Sequence, residues 1–176
     1  APGITQARAS SGAVAGVMAL TTAARGAWKA PAGLDARLVG VQGLEVSLTD
    51  AQNGVLNANG VNALRAFPGA GLVVWGARTM RGQDALADDY RYVPVRRLAN
   101  FIELSVLRGT QWSVFEPSAE PLWADLRQQI GEFLSRLERQ GAIYSHAVRC
   151  DVSTTTPADV ANGLVQVLVL FAPLKP

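Results

Sequence analysis

A chain of 176 residues with 49% hydrophobic content is long enough and apolar enough to bury a core, which excludes disorder as its default state. Its 16 basic and 14 acidic residues are spread along the chain and leave a net charge of +2, so no basic block points to nucleic acid. The single cysteine, Cys150, leaves no internal disulfide within these residues, and a fold without cross-links suits assembly in a reducing cytoplasm.

No run reaches the roughly 18 to 20 apolar residues of a membrane span, so membrane insertion is not expected. Residues 13–20 imitate the apolar core of a secretory signal, but they are rich in Ala and Gly and lack a basic start. They read instead as part of a buried amphipathic helix over 10–24, with Val14, Val17, Met18 and Thr21 on one side and Gly26 ending it. Residues 28–33 form a connector anchored by Trp28. Thr49 to Gln52 matches a capping box, while Asn53, Gly54, Asn57, Asn59 and Gly60 limit the helix to a turn or two. A strand over 61–66 follows. Pro68, Gly69 and Gly71 then reverse the chain into a second strand over 72–75, apolar enough to be covered on both faces. Residues 81–89, with Asp84, Asp88 and Asp89, read as a solvated loop whose carboxylates are too few to hold a metal.

Pro94 opens a long helix in which Val95, Leu98, Ile102 and Val106 recur at helical spacing, and Gly109 stops it. Phe101, Leu104 and Leu107 extend the apolar surface almost all round, which predicts a buried helix. Residues 113–115 read as a short buried strand. Residues 120–140 form the clearest amphipathic helix, with Leu122, Leu126, Ile130, Phe133, Leu134 and Leu137 in one stripe. The opposite face carries Arg127, Glu132, Arg136, Glu138 and Arg139; Glu132 and Arg136 are spaced for an i,i+4 pair worth a few tenths of a kcal/mol. Gly141 ends this helix. A strand over 147–152, a capped helix opened by Thr156, Pro157 and Asp159, and the strongest strand, 164–171, complete the chain. This alternation predicts an α/β (α+β) layered domain, a mixed β-sheet flanked by helices.

Enzyme chemistry is thinly represented, and no cofactor signature is present. His146 is the only histidine, so a zinc site would be short of ligands. His146 and Cys150 at i and i+4 on a strand would lie about 13 Å apart, too far for a nucleophile and base, and Cys150 reads as a small buried hydrophobe. Gly69, Gly71 and Gly76 suggest a phosphate loop, but the Lys-Ser/Thr ending is missing and a strand follows instead of a helix. Glu103 and Glu116 carry the alternative reading, a small cytoplasmic α/β enzyme, which requires a deep pocket around one of these carboxylates. Arg78, Arg96 and Arg97 sit beside strand segments and suit bidentate bridges, either to Glu103 or Glu116 within the chain or across an interface between subunits.

The blocks Phe67-Pro-Gly-Ala-Gly71, Val74-Trp-Gly-Ala-Arg-Thr79, Tyr92-Val-Pro-Val-Arg-Arg-Leu98, Phe101-Ile-Glu103, Arg108-Gly-Thr-Gln-Trp112 and Val114-Phe-Glu-Pro117 resemble, in this order, the signature of contractile phage tail sheath proteins. Arg25 to Ala32, Leu48 to Asn57, Glu120 to Trp123, Val148 to Asp151 and Phe171 to Pro176 extend the resemblance over most of the chain. The resemblance implies a single conserved sheath-type domain over 1–176, without the family's N-terminal and C-terminal linking arms and with a shortened loop between Gly141 and Val148. It implies a structural subunit, not an enzyme, that packs with other copies into a sleeve of rings. In a phage tail or a phage-derived injection particle, that sleeve surrounds an inner tube and contracts to drive it through a target envelope. The implied partners are other sheath subunits, the inner tube protein, the baseplate and the tail terminator, with no direct nucleic acid contact. Assembly would occur in the bacterial cytoplasm. Because the family uses a charged helix near the lumen, the resemblance also points to Arg127, Arg136 and Arg139 for tube contact.

Overall fold

The computed structural model describes residues 6–174, which pack as two compact units divided after Leu98. In the first unit, helix α1 (Ser11–Arg25) turns Val17 inward against Ala36, Leu38 and Val74, with Val14, Leu64 and Leu72 packed around them. Helix α2 (Asp50–Ala58) starts at Thr49, whose hydroxyl accepts from the Gln52 backbone while the Gln52 side chain accepts from the Thr49 N–H, as the capping box requires. It runs beyond the expected turn or two, because Asn59 Nδ2 donates to the Val55 carbonyl at 2.8 Å and occupies an orphan acceptor at its far end.

Strands β1 (Ala63–Phe67) and β2 (Gly71–Trp75) pair antiparallel, with Ala63 opposite Trp75 and Phe67 opposite Gly71. Gly69 and Gly71, at φ 77° and 76°, make the reversal that the sequence predicts. The other edge of β2 is covered by residues 36–38: Leu38 N–H donates to the Leu72 carbonyl at 2.8 Å and Val74 N–H to the Ala36 carbonyl at 2.9 Å. No apolar alternation marks that segment. Gly76 is needed where it stands, since a Cβ there would lie 2.8 Å from the Cα of Asn62.

Helix α3 (Val93–Gly109) begins in the first unit and ends in the second. Pro94 falls in its first turn, and Val95, Leu98, Ala99 and Ile102 form its buried stripe. It is not buried all round as expected. Phe101, Leu104 and Leu107 lie on another face and are exposed. The expected strand at 113–115 is also absent. A short 3₁₀ turn (Gln111–Ser113) stands there, closed by Ser113 N–H and Oγ on the Thr110 carbonyl and by Glu116 N–H on the Ser113 carbonyl. These local bonds leave Val114 and Phe115 exposed instead of laddered.

Helix α4 (Glu120–Arg139) dominates the second unit. Leu122, Trp123, Leu126, Ile130, Leu134 and Leu137 form its buried stripe, and Phe133 sits at the margin, 6.1 Å from the Phe101 ring. Gly141, at φ 71°, turns the chain into strand β3 (Ile143–Arg149). After helix α5 (Pro157–Ala161), strand β4 (Leu168–Pro173) pairs antiparallel with β3, His146 opposite Phe171. β4 begins later than the apolar run at 164 because the buried Thr155 hydroxyl accepts from the Gln166 N–H at 3.0 Å and holds that stretch off the ladder. Cys150 is fully buried with Leu122, Trp123 and Leu126, and Val165 and Val167 pack against this cluster.

The class is therefore α+β as predicted, but among the described residues the strands form two antiparallel pairs in place of one mixed sheet. Each strand pairs with its sequence neighbour, so no crossover creates a parallel pair. No helix of the described residues is long and apolar enough to cross a membrane.

Candidate assembly interface

The six arginines singled out from the sequence meet different fates. Arg78 is a structural hub of the first unit, with its side chain only 11% exposed. Its Nε donates to Asn57 Oδ1 at 2.8 Å, and its Nη1 donates to the Gly82 carbonyl at 2.9 Å and to Asp84 Oδ1 at 2.7 Å. The guanidinium also lies over the Tyr92 ring, 4.9 Å from its centroid. Its backbone is clasped by Asn62, which accepts from the Arg78 N–H and donates to the Arg78 carbonyl. Its acidic partner is thus Asp84, not Glu103 or Glu116.

Arg96 is exposed and stacks over Tyr90 at 5.0 Å. Arg97 donates from Nη2 to Thr22 Oγ1 at 2.6 Å, while its Nη1 is buried without an acceptor among the described residues. Arg127 is held within the second unit: Nη2 donates to Glu120 Oε1 at 2.5 Å and Nη1 donates to the Cys150 carbonyl, tying α4 to the end of β3. The Glu120 carboxylate keeps the Arg127 guanidinium more firmly protonated than usual. Arg136 and Arg139 are exposed and make no ion pair with another described residue. The spacing of Glu132 and Arg136 suggests a pair, but Glu132 accepts from Gln128 Nε2 at 3.1 Å instead.

The enzyme-like constellations are engaged in other contacts. Asp84 faces Arg78 and Arg91, and Asp88 faces Arg81 at 2.7 Å. Among the described residues no group of three or more His, Cys, Asp and Glu could hold a metal. His146 Nδ1 lies 2.9 Å from Glu138 Oε2, and its Nε2 lies 3.4 Å from Ser135 Oγ. Burial pushes the Cys150 thiol up, away from the reactive thiolate. Glu103 and Glu116 are both exposed.

Sequence reasoning missed a groove in the second unit, between the end of α3 and the middle of α4, with a volume of about 280 Å³. Val106, Ile130 and Phe133 supply its apolar walls, Gly109 leaves one side open, and the exposed Glu132 and Arg136 stand at its rim. Gly109 was legible only as a helix stop. That it also vacates space beside α4 depends on how the two helices cross.

Comparison with known proteins fixes the family. Residues 87–176 match the phage tail sheath C-terminal domain, and residues 1–80 match the phage tail sheath protein central domain. A tail sheath protein of Vibrio phage KVP40 is 29% identical over 153 residues, which is 86% of this chain and 22% of that protein. Among solved structures, a chain of the anti-feeding prophage baseplate superposes with a TM-score of 0.86 at 37% identity, covering 95% of this chain and 47% of that one. The anti-feeding prophage helical sheath in its contracted state gives 0.81 at 37% identity, covering 93% and 46%. The contracted sheath complex of an extracellular contractile injection system, PVC, gives 0.80 at 34% identity, covering 93% and 47%. The chain therefore spans about half the length of these solved relatives and 22% of the curated one.

The matches define a structural protein of contractile tails and injection systems, which sets aside the enzyme reading built on Glu103 or Glu116. The chain belongs to the phage tail sheath family.

Proposed function

We propose that residues 1–176 act as one sheath-type domain of a contractile sheath subunit. In this reading, copies assemble around an inner tube and shorten together to drive it through a target envelope. The observation that carries it is the likeness, at a TM-score of 0.81 and 37% identity, to a chain of a helical sheath in its contracted state. The partners are other copies of the subunit, the tube protein, the baseplate and the tail terminator. Assembly takes place in the bacterial cytoplasm, and the product is carried in a virion tail or a released injection particle.

The work of contraction then comes from the free-energy difference between two packings of the same fold. That demands intersubunit contacts that hold and then release. Of the six arginines, Arg136 and Arg139 reach outward without a described ion pair, so they are the ones most available to another molecule. Exposed charge pairs are individually weak and reversible. Arg78 and Arg127 are engaged in intrachain bonds, each within its own unit. Arg96 and Arg97 stay with the subunit interface as secondary candidates. Electron microscopy of the full-length protein tests the reading. Tubes or stacked rings are the expected result, and a protein that stays monomeric at high concentration with tube protein present overturns it.

A further inference from the structure

Phe115 occupies an unusual position in the second unit. Its backbone sits at φ 75°, in the left-handed region that side chains adopt only at a cost, and its ring is fully exposed. The turn that presents it is built from local bonds: Ser113 N–H donates to the Thr110 carbonyl at 3.0 Å and Glu116 N–H to the Ser113 carbonyl at 3.2 Å. The fold thus holds an aromatic ring out in water, on strained backbone.

The groove between α3 and α4 complements it. Its volume of about 280 Å³ exceeds what a phenyl ring needs, since an apolar cavity of about 150 Å³ holds benzene. Val106, Ile130 and Phe133 offer the apolar and edge contacts an aromatic ring prefers. At Gly109 an added Cβ would meet nothing within 4 Å, so the way in is open. Charge agrees with shape. Glu116, the next residue after Phe115, is exposed, and Arg136 stands exposed at the groove rim without a described ion pair. Glu132, of the same sign as Glu116, stands at the same rim and keeps its charge while accepting from Gln128, so the pairing must be made on the Arg136 side.

Resting on the sheath reading, we propose that Phe115 of one copy inserts into the α3–α4 groove of a neighbouring copy, with Glu116 pairing to that neighbour's Arg136. Knob and groove are different patches of one surface, so the contact is head-to-tail. Such contacts propagate into rings or open helices and do not stop at a dimer. A single aromatic side chain buries about 150 to 250 Å², against roughly 800 Å² per partner in a stable interface. The contact is therefore one releasable element of a larger interface.

Cross-linking in the full chain tests this. Phe115→Cys is placed in one population and Gly109→Cys in another, the native Cys150 being fully buried and out of reach. Mild oxidation of mixed assemblies should give disulfide-linked dimers, and neither variant alone should. Three results overturn the proposal: Phe115→Cys linking to itself, a chain carrying both Phe115→Cys and Gly109→Cys closing on itself, or mixed arrays that form without the bond. In parallel, Glu116→Arg and Arg136→Glu should each lower assembly about tenfold and the combination should restore it. Failure of that rescue also overturns the pairing. Wild-type chains that form arrays, while the mixed cysteine variants form arrays without the cross-link, defeat this contact and leave the sheath reading intact, whereas wild-type chains that never assemble defeat both.

Discussion

Arg78 donates to Asn57, Gly82 and Asp84 and also covers Tyr92, so three separate segments of the first unit converge on one guanidinium. Hydrogen bonds to charged groups are worth about 1.5 to 3 kcal/mol when broken. Arg78→Ala should therefore destabilise the chain by about 2 to 4 kcal/mol in a denaturant titration, a net figure below the sum of its bonds because water re-solvates the exposed partners. Asp84→Asn should cost under about 1 kcal/mol, because that carboxylate is half exposed. The sequence marked Arg78 as a bridging arginine but not its partner, since Asp84 lies in a loop that reads as solvated until its 3₁₀ turn is seen. A second local prediction concerns acid. The Thr156 hydroxyl and backbone N–H both donate to Asp159, at 2.7 and 2.8 Å, and hold its carboxyl below the ordinary range. A depressed folded value means a stabilisation that is present above the unfolded value near 4 and is lost as pH falls through the folded one. Carboxyl resonances followed by NMR should show Asp159 titrating below an ordinary exposed aspartate, with α5 fraying as it protonates. Thr156→Ala should move that titration upward and cost about 0.5 to 2 kcal/mol.

At the level of elements, α4 was the most legible because 20 residues repeat a 3.6-residue period with few interruptions. Leu134 at its centre is fully buried, so Leu134→Ala should cost about 2 to 5 kcal/mol by thermal or chemical unfolding, whereas Leu107→Ala on the exposed face of α3 should cost under about 1 kcal/mol. A large effect at Leu107 would mean that its face is covered. Short apolar runs were the least legible. Residues 72–75 became a strand while 113–115 did not, and composition does not separate them. The difference is a partner: β2 finds β1 across a tight turn, whereas Ser113 finds the Thr110 carbonyl within its own turn. The expected mixed sheet failed for a related reason. Strand order is a property of connections, and apolar spacing says nothing about direction.

For the whole molecule, ordered motif blocks carried the family, since six of them in sequence are far more specific than any pattern of polarity. The residues proposed to meet other molecules were much less legible, because interface chemistry looks like ordinary surface until the fold shows which charges are already engaged. Arg127 and Arg139 read alike in sequence, yet one is tied to Glu120 and the Cys150 carbonyl while the other has no partner among the described residues. If the proposed sheath reading holds, Arg139→Glu should reduce tube-templated assembly, measured as tube length and yield by electron microscopy, without lowering the melting temperature by more than a degree or two. Unchanged assembly would overturn the proposal that this end of α4 meets the tube.

Cys150, sealed beneath Leu122, Trp123 and Leu126 with its carbonyl gripped by Arg127, gives the second unit a silent chemical clock. A maleimide dye can reach that sulfur only when α4 lifts away from residues 165–167, so its labelling rate counts opening events. Compared between extended and shortened particles of the proposed sheath, that rate would reveal whether contraction leaves each brick rigid or loosens it.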